Sequence, residues 1–161
     1  MDDYVQTGDP SISQYDWSIE ILIKCDNFSN SPIFLSPLSS GVDHFLRFLS
    51  NGKIAFQVTT SSDLNNRLID SNYTASLGEI LHLVFTRTST SKSIYINGIL
   101  DAQDSDSTSS ALWSGSWRLG SRGNNTFHFN GNIYIVKVYN QLLTEQEIQQ
   151  NYNANKSRFG L

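Results

Sequence analysis

One polar segment of the chain, "DAQDSDSTSS", contains three aspartates close together in sequence. Calcium binds about six to eight oxygen atoms, several of them carboxylate oxygens, so Asp101, Asp104 and Asp106 are candidate calcium ligands. The segment lacks, however, the glycine and the distal glutamate of an EF-hand loop. Two interpretations stay open: a calcium site, or the solvated flank of a polar hairpin.

Two tryptophans in "ALWSGSWRLG" are candidates for sugar recognition without a metal. A sugar site needs an exposed aromatic ring beside hydrogen-bonding groups, and Trp113 and Trp117 are flanked by serines and an arginine. Trp117 has an alternative, because it can begin a strand and pack inward. We expect Trp113 to be the more exposed of the two.

The histidines and glutamates do not form a catalytic set. His44, His82 and His128 have no Cys or Ser nucleophile motif beside them. His82, within "ILHLVF", fits a packed or hydrogen-bonded strand position better than a general base. Glu20 alternates with apolar residues, so we expect a solvated side chain on the polar face of its strand. These patterns favour a protein that is not an enzyme.

Composition excludes several classes of partner. The 161 residues include 11 Lys and Arg against 15 Asp and Glu, a formal net charge of -4, and the cations are scattered, so we expect no nucleic-acid binding. The acidic start "MDDYVQTGDP" and the absence of a long apolar run predict no membrane partner. Cys25 is the single cysteine, so no internal disulfide is available.

The main periodicity along the chain is two, which indicates strands. "WSIEILIK" places every second residue, Trp17, Ile19, Ile21 and Ile23, on one apolar face. Asn51-Gly52 and Asn97-Gly98 lie between apolar runs and predict hairpins with type I′ turns. Many short strands separated by polar turns are typical of an all-β antiparallel sandwich or jelly roll. The length suits a single domain over residues 1–161.

One helix is predicted, at the C-terminal end. Thr144 and Glu147 form a T-x-x-E capping box, and Ile148 and Tyr152 form an apolar pair four residues apart. These signals predict a short helix over about 144–154.

The strand before this helix, "NIYIVKVYN", is apolar at both odd and even positions. A β-bulge at Tyr134 explains the pattern, because one extra residue shifts the alternation. The bulge predicts a core-facing set and an opposite set. The first is Ile133, Val136 and Val138, and the second is Ile135, Lys137 and Tyr139.

Two alternatives exist for what covers the opposite set. The chain's own terminal helix can cover it through Ile148 and Tyr152. Alternatively, Tyr134 and Ile135 form an apolar patch that docks on a neighbouring subunit, since aromatic and aliphatic anchors dominate such interfaces. The second alternative makes Tyr134 and Ile135 candidate partner-binding residues.

Four segments, taken in order, carry a family resemblance: "MDDYV", "WSIEILIK", "LHLVFTR…SIYINGIL" and "LGS…FNGNIYIVKVYNQLLTEQEI". Together they resemble landmarks of the laminin G-like, concanavalin A-like jelly-roll domains across essentially the whole chain. The resemblance implies two antiparallel sheets packed face to face, with a short helix after the last strand.

The resemblance does not fix the function, because the family includes enzymes, lectins and structural modules. Its glycoside hydrolases carry an E-x-D-x-x-E spacing that this chain lacks. Its pentraxin branch has acidic calcium ligands in the loop before the last strand, where this chain reads "SRGNNTFHF", with Arg122 and no carboxylate. We therefore expect no cofactor, with calcium at the aspartate segment as the exception to test.

The ending "LTEQEIQQNYNANKSRFGL" resembles that of laminin G-like modules in virion structural proteins of tailed phages and large DNA viruses. This resemblance implies a non-enzymatic capsid-decorating or fibre subunit on the virion surface, in capsid or tail. It would bind other virion proteins or itself. The alternative is an extracellular carbohydrate-binding lectin module, with or without calcium.

Overall fold

The computed structural model describes residues 4–10, 12, 15–38, 44–58, 67–105, 115–122 and 126–161. These residues form eleven strands and one helix. The elements are β1 (Val5–Gln6), β2 (Trp17–Cys25), β3 (Ile33–Pro37), β4 (Phe45–Phe48), β5 (Lys53–Val58), β6 (Arg67–Thr74), β7 (Ile80–Arg87), β8 (Ser91–Ile96), β9 (Ile99–Ser105), β10 (Trp117–Leu119), β11 (Gly131–Tyr139) and α1 (Glu145–Phe159).

The described strands form two antiparallel sheets that pack face to face. Sheet A has the strand order β1-β10-β3-β4-β5-β6, and sheet B has the order β11-β2-β7-β8-β9. The edge strands β1 and β11 belong to different sheets, and both border the cleft described below. The predicted fold class, a two-sheet jelly-roll sandwich with one C-terminal helix, is confirmed.

The core lies between the sheets, and the inner face of β2 forms its centre. Trp17, Ile19, Ile21 and Ile23 are each at most 1% exposed, as their alternation predicted. They pack in one cluster with Phe34, Phe48 and Phe56 of the facing sheet A and with Phe85 of the neighbouring strand β7.

The two Asn-Gly turns differ in conformation. Between β8 and β9, both Asn97 (φ 51°) and Gly98 (φ 82°) are left-handed, as a type I′ turn requires. Between β4 and β5, Gly52 is left-handed (φ 83°) but Asn51 is not. The type I′ prediction is therefore wrong there. The amide of Gly52 donates to the Leu49 carbonyl (2.9 Å), the arrangement of a turn that ends in a glycine bulge.

The last strand has the predicted bulge. Strand β11 pairs with β2, and the register shifts between Ile133 and Ile135, which leaves Tyr134 as the extra residue. Ile133, Val136 and Val138 consequently pack against the main core.

The other face of sheet B is covered by α1 rather than by solvent. Tyr139 packs there on a second apolar cluster, Val84, Tyr95, Leu143 and Ile148. The hydroxyl of Ser18 fastens the preceding loop, since it donates to the Gln141 carbonyl (3.1 Å) and accepts from the Leu143 amide (2.9 Å). Strands β2, β7 and β8 are thus buried on both faces. Strand β11 is half-buried over most of its length, and the packing of Tyr139 on this cluster explains an apolar residue on its outer face.

The helix begins as predicted but ends later. Thr144 and Glu147 form the capping box. The helix continues past the predicted end near 154 to Phe159, where Gly160 adopts a left-handed cap (φ 71°). The asparagines do not end it, and the side-chain amide of Asn155 donates to the backbone carbonyl of Asn151 (2.9 Å) one turn earlier in the helix. The first residue suited to a C-cap is the glycine.

Truncation of the central core residue tests this packing. Ile21 is 1% exposed, so Ile21→Ala should lower the free energy of unfolding by about 2 to 5 kcal/mol through lost burial and a residual cavity. Leu77→Ala, at a position that is 60% exposed, is the matched control and should cost less than about 0.5 kcal/mol. Urea unfolding measures the free energy of unfolding of both variants. A decrease below about 1 kcal/mol for Ile21→Ala would contradict the assignment of Ile21 to the core-facing side of β2.

Candidate functional site

A cleft of about 870 Å³ lies between the neighbouring edges of the two sheets. Strands β1 and β10 supply one wall and β11 supplies the other. The loops 27–30 and 127–130 complete its lining. Because the site is assembled from both sheets, its shape depends on how the sandwich closes at this edge.

Backbone hydrogen bonds tie the two loops to each other and to sheet A. The Asp26 amide donates to the Asn130 carbonyl (2.8 Å), and the Ile33 amide donates to the Phe127 carbonyl (3.0 Å). The Phe129 amide donates to the Gly120 carbonyl (2.7 Å). The lining loops are therefore held in place by the scaffold.

The cleft concentrates exposed hydrophobic side chains. In the described part of the chain, eight large hydrophobic residues are exposed, and four of them line this cleft: Tyr4, Val5, Phe127 and Tyr134. The three aromatic rings are 40 to 43% exposed. Exposed hydrophobic residues that are scattered singly over a surface need no explanation. Several of them around one concavity are typical of a binding site.

Polar side chains also line the cleft. They are the amides of Asn27, Asn30 and Asn130, the hydroxyl of Ser29 and the imidazole of His128. Amide and hydroxyl groups both donate and accept hydrogen bonds, so they suit a ligand rich in hydroxyls. Among the described lining residues, none is Asp, Glu, Lys or Arg.

The predicted partner-binding residues both line this cleft. Tyr134 is 41% exposed, and its ring lies 5.3 Å from that of Phe159 at the end of α1. Ile135 is half-buried beside it. The helix end therefore supports the Tyr134 ring. Docking of a partner on these two residues stays a prediction.

Of the two alternatives for Trp117, the inward-packing one is confirmed: the residue begins β10 and is buried. Its side chain is 2% exposed and belongs to the hydrophobic core, because β10 turns it between the sheets. Stacking on a sugar is therefore blocked at this residue. Trp113 lies outside the described residues.

Asp101 ties the two sheets together. Its carboxylate accepts from the amides of Asn72 (2.7 Å) and Tyr73 (3.0 Å), which belong to β6 of sheet A. Asp104 is paired opposite Lys92 within sheet B, and Asp106 lies outside the described residues. Within the described part, no three His, Cys, Asp or Glu side chains are grouped to hold a metal.

A buried cluster of polar side chains lies beneath α1, and the prediction that Glu20 is solvated is wrong. Glu20 is 1% exposed. Its carboxylate accepts from the ammonium group of Lys137 (2.9 Å), from the Tyr139 hydroxyl (2.8 Å) and from the side-chain amide of Asn151 on the helix (2.9 Å). His82 lies 3.4 Å away. The two-residue alternation of β2 predicts that this face is exposed to solvent, but α1 covers it.

Burial alone would raise the pKa of Glu20, but the nearby imidazole of His82 (3.4 Å) and the hydrogen bonds from Lys137 and Tyr139 outweigh it and lower the pKa to about 2. Burial and the bond to Glu20 raise the pKa of Tyr139 well above its ordinary value. A carboxylate beside a histidine has the composition of an acid–base pair. However, both Glu20 and His82 are 1% exposed, so a substrate does not reach them. The cluster fastens the helix to the sheet.

The two antiparallel sheets define a jelly-roll sandwich, with a cleft at one edge. The family model of the concanavalin A-like lectin/glucanases superfamily matches residues 1–149, so the chain belongs to this superfamily. The resemblance of the sequence to laminin G-like, concanavalin A-like domains is thereby confirmed. No curated protein matches the chain in sequence.

Solved structures with the same fold come from varied proteins. A native heptameric SAP-like pentraxin from Limulus polyphemus has a TM-score of 0.71 at 14% identity, over 94% of this chain and 76% of the pentraxin. Domain 4 of an extracellular arabinanase from Geobacillus stearothermophilus, solved with arabinotriose, has a TM-score of 0.67 at 17% identity. The match covers 91% of this chain and 71% of the arabinanase domain.

The binding domain of botulinum neurotoxin DC, solved with rat synaptotagmin II, has a TM-score of 0.72 at 15% identity. The match covers 94% of this chain but only 40% of the neurotoxin domain. At such identities the likeness shows the fold alone.

Within the described residues, no helix has the length and apolar character needed to cross a bilayer.

The charge on Glu20 predicts a specific pH dependence. Its pKa falls from an ordinary 4.5 to about 2 in the folded protein, so its contribution is present above about pH 4.5 and is lost as the pH falls toward 2. A shift of this size corresponds to about 3 kcal/mol. In urea unfolding between pH 7 and pH 2, Glu20→Gln should be less stable than wild type at pH 7 and should lose less stability on acidification.

Asp26→Asn is the control for this experiment, because Asp26 forms a surface pair with Lys24 (3.1 Å). Its unfolding free energy should follow that of wild type across the pH range. Parallel curves for Glu20→Gln and wild type would show that the Glu20 pKa is ordinary.

Proposed function

We propose that the protein is a non-enzymatic carbohydrate-binding module whose ligand occupies the cleft between β1 and β11. The observation that carries the proposal is the grouping of Tyr4, Phe127 and Tyr134, all partly exposed, around one concavity. Sugars present apolar C–H faces and hydroxyl edges. The aromatic rings match the faces, and the asparagine and serine side chains match the edges.

The same cleft argues against hydrolysis of a bound sugar. Glycosidases use two carboxyl groups about 5 to 10 Å apart, one on each side of the scissile bond. The lining that the structure describes offers no carboxylate. Glu20, a buried carboxylate with a strongly lowered pKa, is shielded by α1 and hydrogen-bonded to three side chains.

Structures of this fold give the proposal support at the level of ligand class. The arabinanase domain was solved with arabinotriose, a neutral trisaccharide. Its match covers 91% of this chain. An extracellular location suits this function.

A second candidate is a structural subunit of a virus particle, exposed on its capsid or tail. It is favoured by the placement of Tyr134 and Ile135 on β11, the edge strand of sheet B, where a neighbouring subunit has access. The virus-like C-terminal sequence adds to this candidate. The two functions are compatible, since a capsid-decorating protein can display a glycan site.

Loss of one ring tests the carbohydrate function. Tyr134→Ala should weaken binding to glycans retained on an array by at least about tenfold, because an aromatic contact is removed. Ile99→Ala is the matched control: Ile99 is 67% exposed and lies outside the cleft. Isothermal titration measures both variants. Equal affinity for Tyr134→Ala and wild type, or saturable binding by neither, would contradict the proposed site.

The structural candidate predicts a different loss. Ile135→Asp should keep a melting temperature within a few degrees of wild type but abolish association with the particle or with itself, as measured by mass photometry and particle pull-down. An Ile135→Asp variant that folds and still assembles would show that the patch is incidental. A variant that unfolds would show that the half-buried Ile135 serves packing instead of docking.

A further inference from the structure

Phe127 has an unusual backbone conformation for its type. Its φ is 53°, in the left-handed region that bulky residues rarely adopt. Among the described non-glycine residues, four others have positive φ; one of these, Asn30, lines the same cleft, and Ser31 follows it in the chain. Unfavourable backbone conformations are thus concentrated at this site.

The surrounding backbone holds Phe127 in this conformation. Its carbonyl accepts from the Ile33 amide (3.0 Å), and the carbonyl of the preceding residue, Thr126, accepts from the Arg122 amide (2.9 Å). Two residues later the Phe129 amide is bonded to Gly120 (2.7 Å). The chain is fixed on both sides of the left-handed residue, so the conformation persists although it is intrinsically unfavourable.

The left-handed turn separates two phenylalanines that a regular strand would place together. In an extended chain, residues two apart point to the same side. Here Phe129 packs against the core, with its ring centre 6.3 Å from those of Phe34 and Phe48. Phe127 instead lines the cleft, and the residue is 40% exposed. The backbone conformation presents this ring to solvent.

A cation supports the presented ring. The guanidinium carbon of Arg122 lies 5.9 Å from the centre of the Phe127 ring and 4.9 Å from that of Phe45. A guanidinium placed between two aromatic faces holds both by cation–π attraction. The ring of Phe127 is therefore oriented as well as exposed.

We propose that Phe127 is the stacking platform of the cleft and that it binds the apolar face of a neutral sugar. This inference rests on the proposed carbohydrate function and specifies its ligand class. A neutral sugar is favoured because the described lining carries no Asp, Glu, Lys or Arg. A preformed platform reduces the ordering that a ligand must impose, which favours affinity.

The test compares Phe127→Ala, Phe127→Trp and Phe127→Gly with wild type. The probes are an array of neutral arabino-, xylo-, gluco- and galacto-oligosaccharides with sialylated glycans beside them, followed by titration of the best neutral trisaccharide. Phe127→Ala should weaken binding by at least about tenfold, and Phe127→Trp should stay within about threefold of wild type. Phe127→Gly should lose binding but melt at or above the wild-type temperature, because glycine tolerates the left-handed conformation.

The outcomes separate the two claims. If wild type binds neutral glycans and Phe127→Ala binds them equally, the platform is wrong while the carbohydrate function stands. If wild type binds no glycan, the carbohydrate function fails and the platform fails with it. If wild type binds sialylated glycans more tightly than neutral ones, the proposal of a neutral sugar ligand is wrong, and Arg122 becomes the candidate contact for the negative charge. A lower melting temperature for Phe127→Gly would show that the ring serves packing instead.

Discussion

The hydrogen-bonded carboxylate of Glu20 under the terminal helix is the interaction on which the rest of the structure depends. It joins β2, β11 and α1, because its partners Lys137 and Tyr139 lie on β11 and Asn151 lies on the helix. An uncompensated charge at a position only 1% exposed would be costly, so the helix and the sheet must stay together for the carboxylate to remain satisfied. Strand β11 is thereby fixed on both faces, and it forms one wall of the cleft.

The cleft arises where regular strand geometry is interrupted. The bulge at Tyr134 adds one residue to β11 and leaves that ring 41% exposed. Phe127 turns through a left-handed conformation and presents a second ring. Gly131 allows β11 to approach β2 closely, since a Cβ there would lie 2.0 Å from the Lys24 carbonyl oxygen. The sandwich provides a rigid edge, and these irregularities give it a surface that can recognise a ligand.

Local patterns were sufficient to predict much of the fold. The alternation around Ile21, the turn at Asn97 and the bulge at Tyr134 each depend on neighbours in sequence, and each was predicted correctly. The burial of Glu20 was not predictable in this way, because a polar residue on alternate positions indicates solvent unless the docking of a distant helix is known. The cleft was also missed as a whole. Its lining comes from separate segments, and residues such as Phe127 carry no motif that marks them as partners.

The central claim is that a glycan occupies the cleft between the sheet edges, and NMR chemical-shift mapping tests it most directly. A neutral trisaccharide selected on the array would be titrated into the isotope-labelled protein while backbone amide shifts are followed. The account predicts saturable shifts that concentrate at residues 27–30 and 127–135, with the hairpin of β8 and β9 unchanged. Shifts that concentrate on that hairpin or on the outer surface of α1, with the cleft residues unaffected, would contradict it.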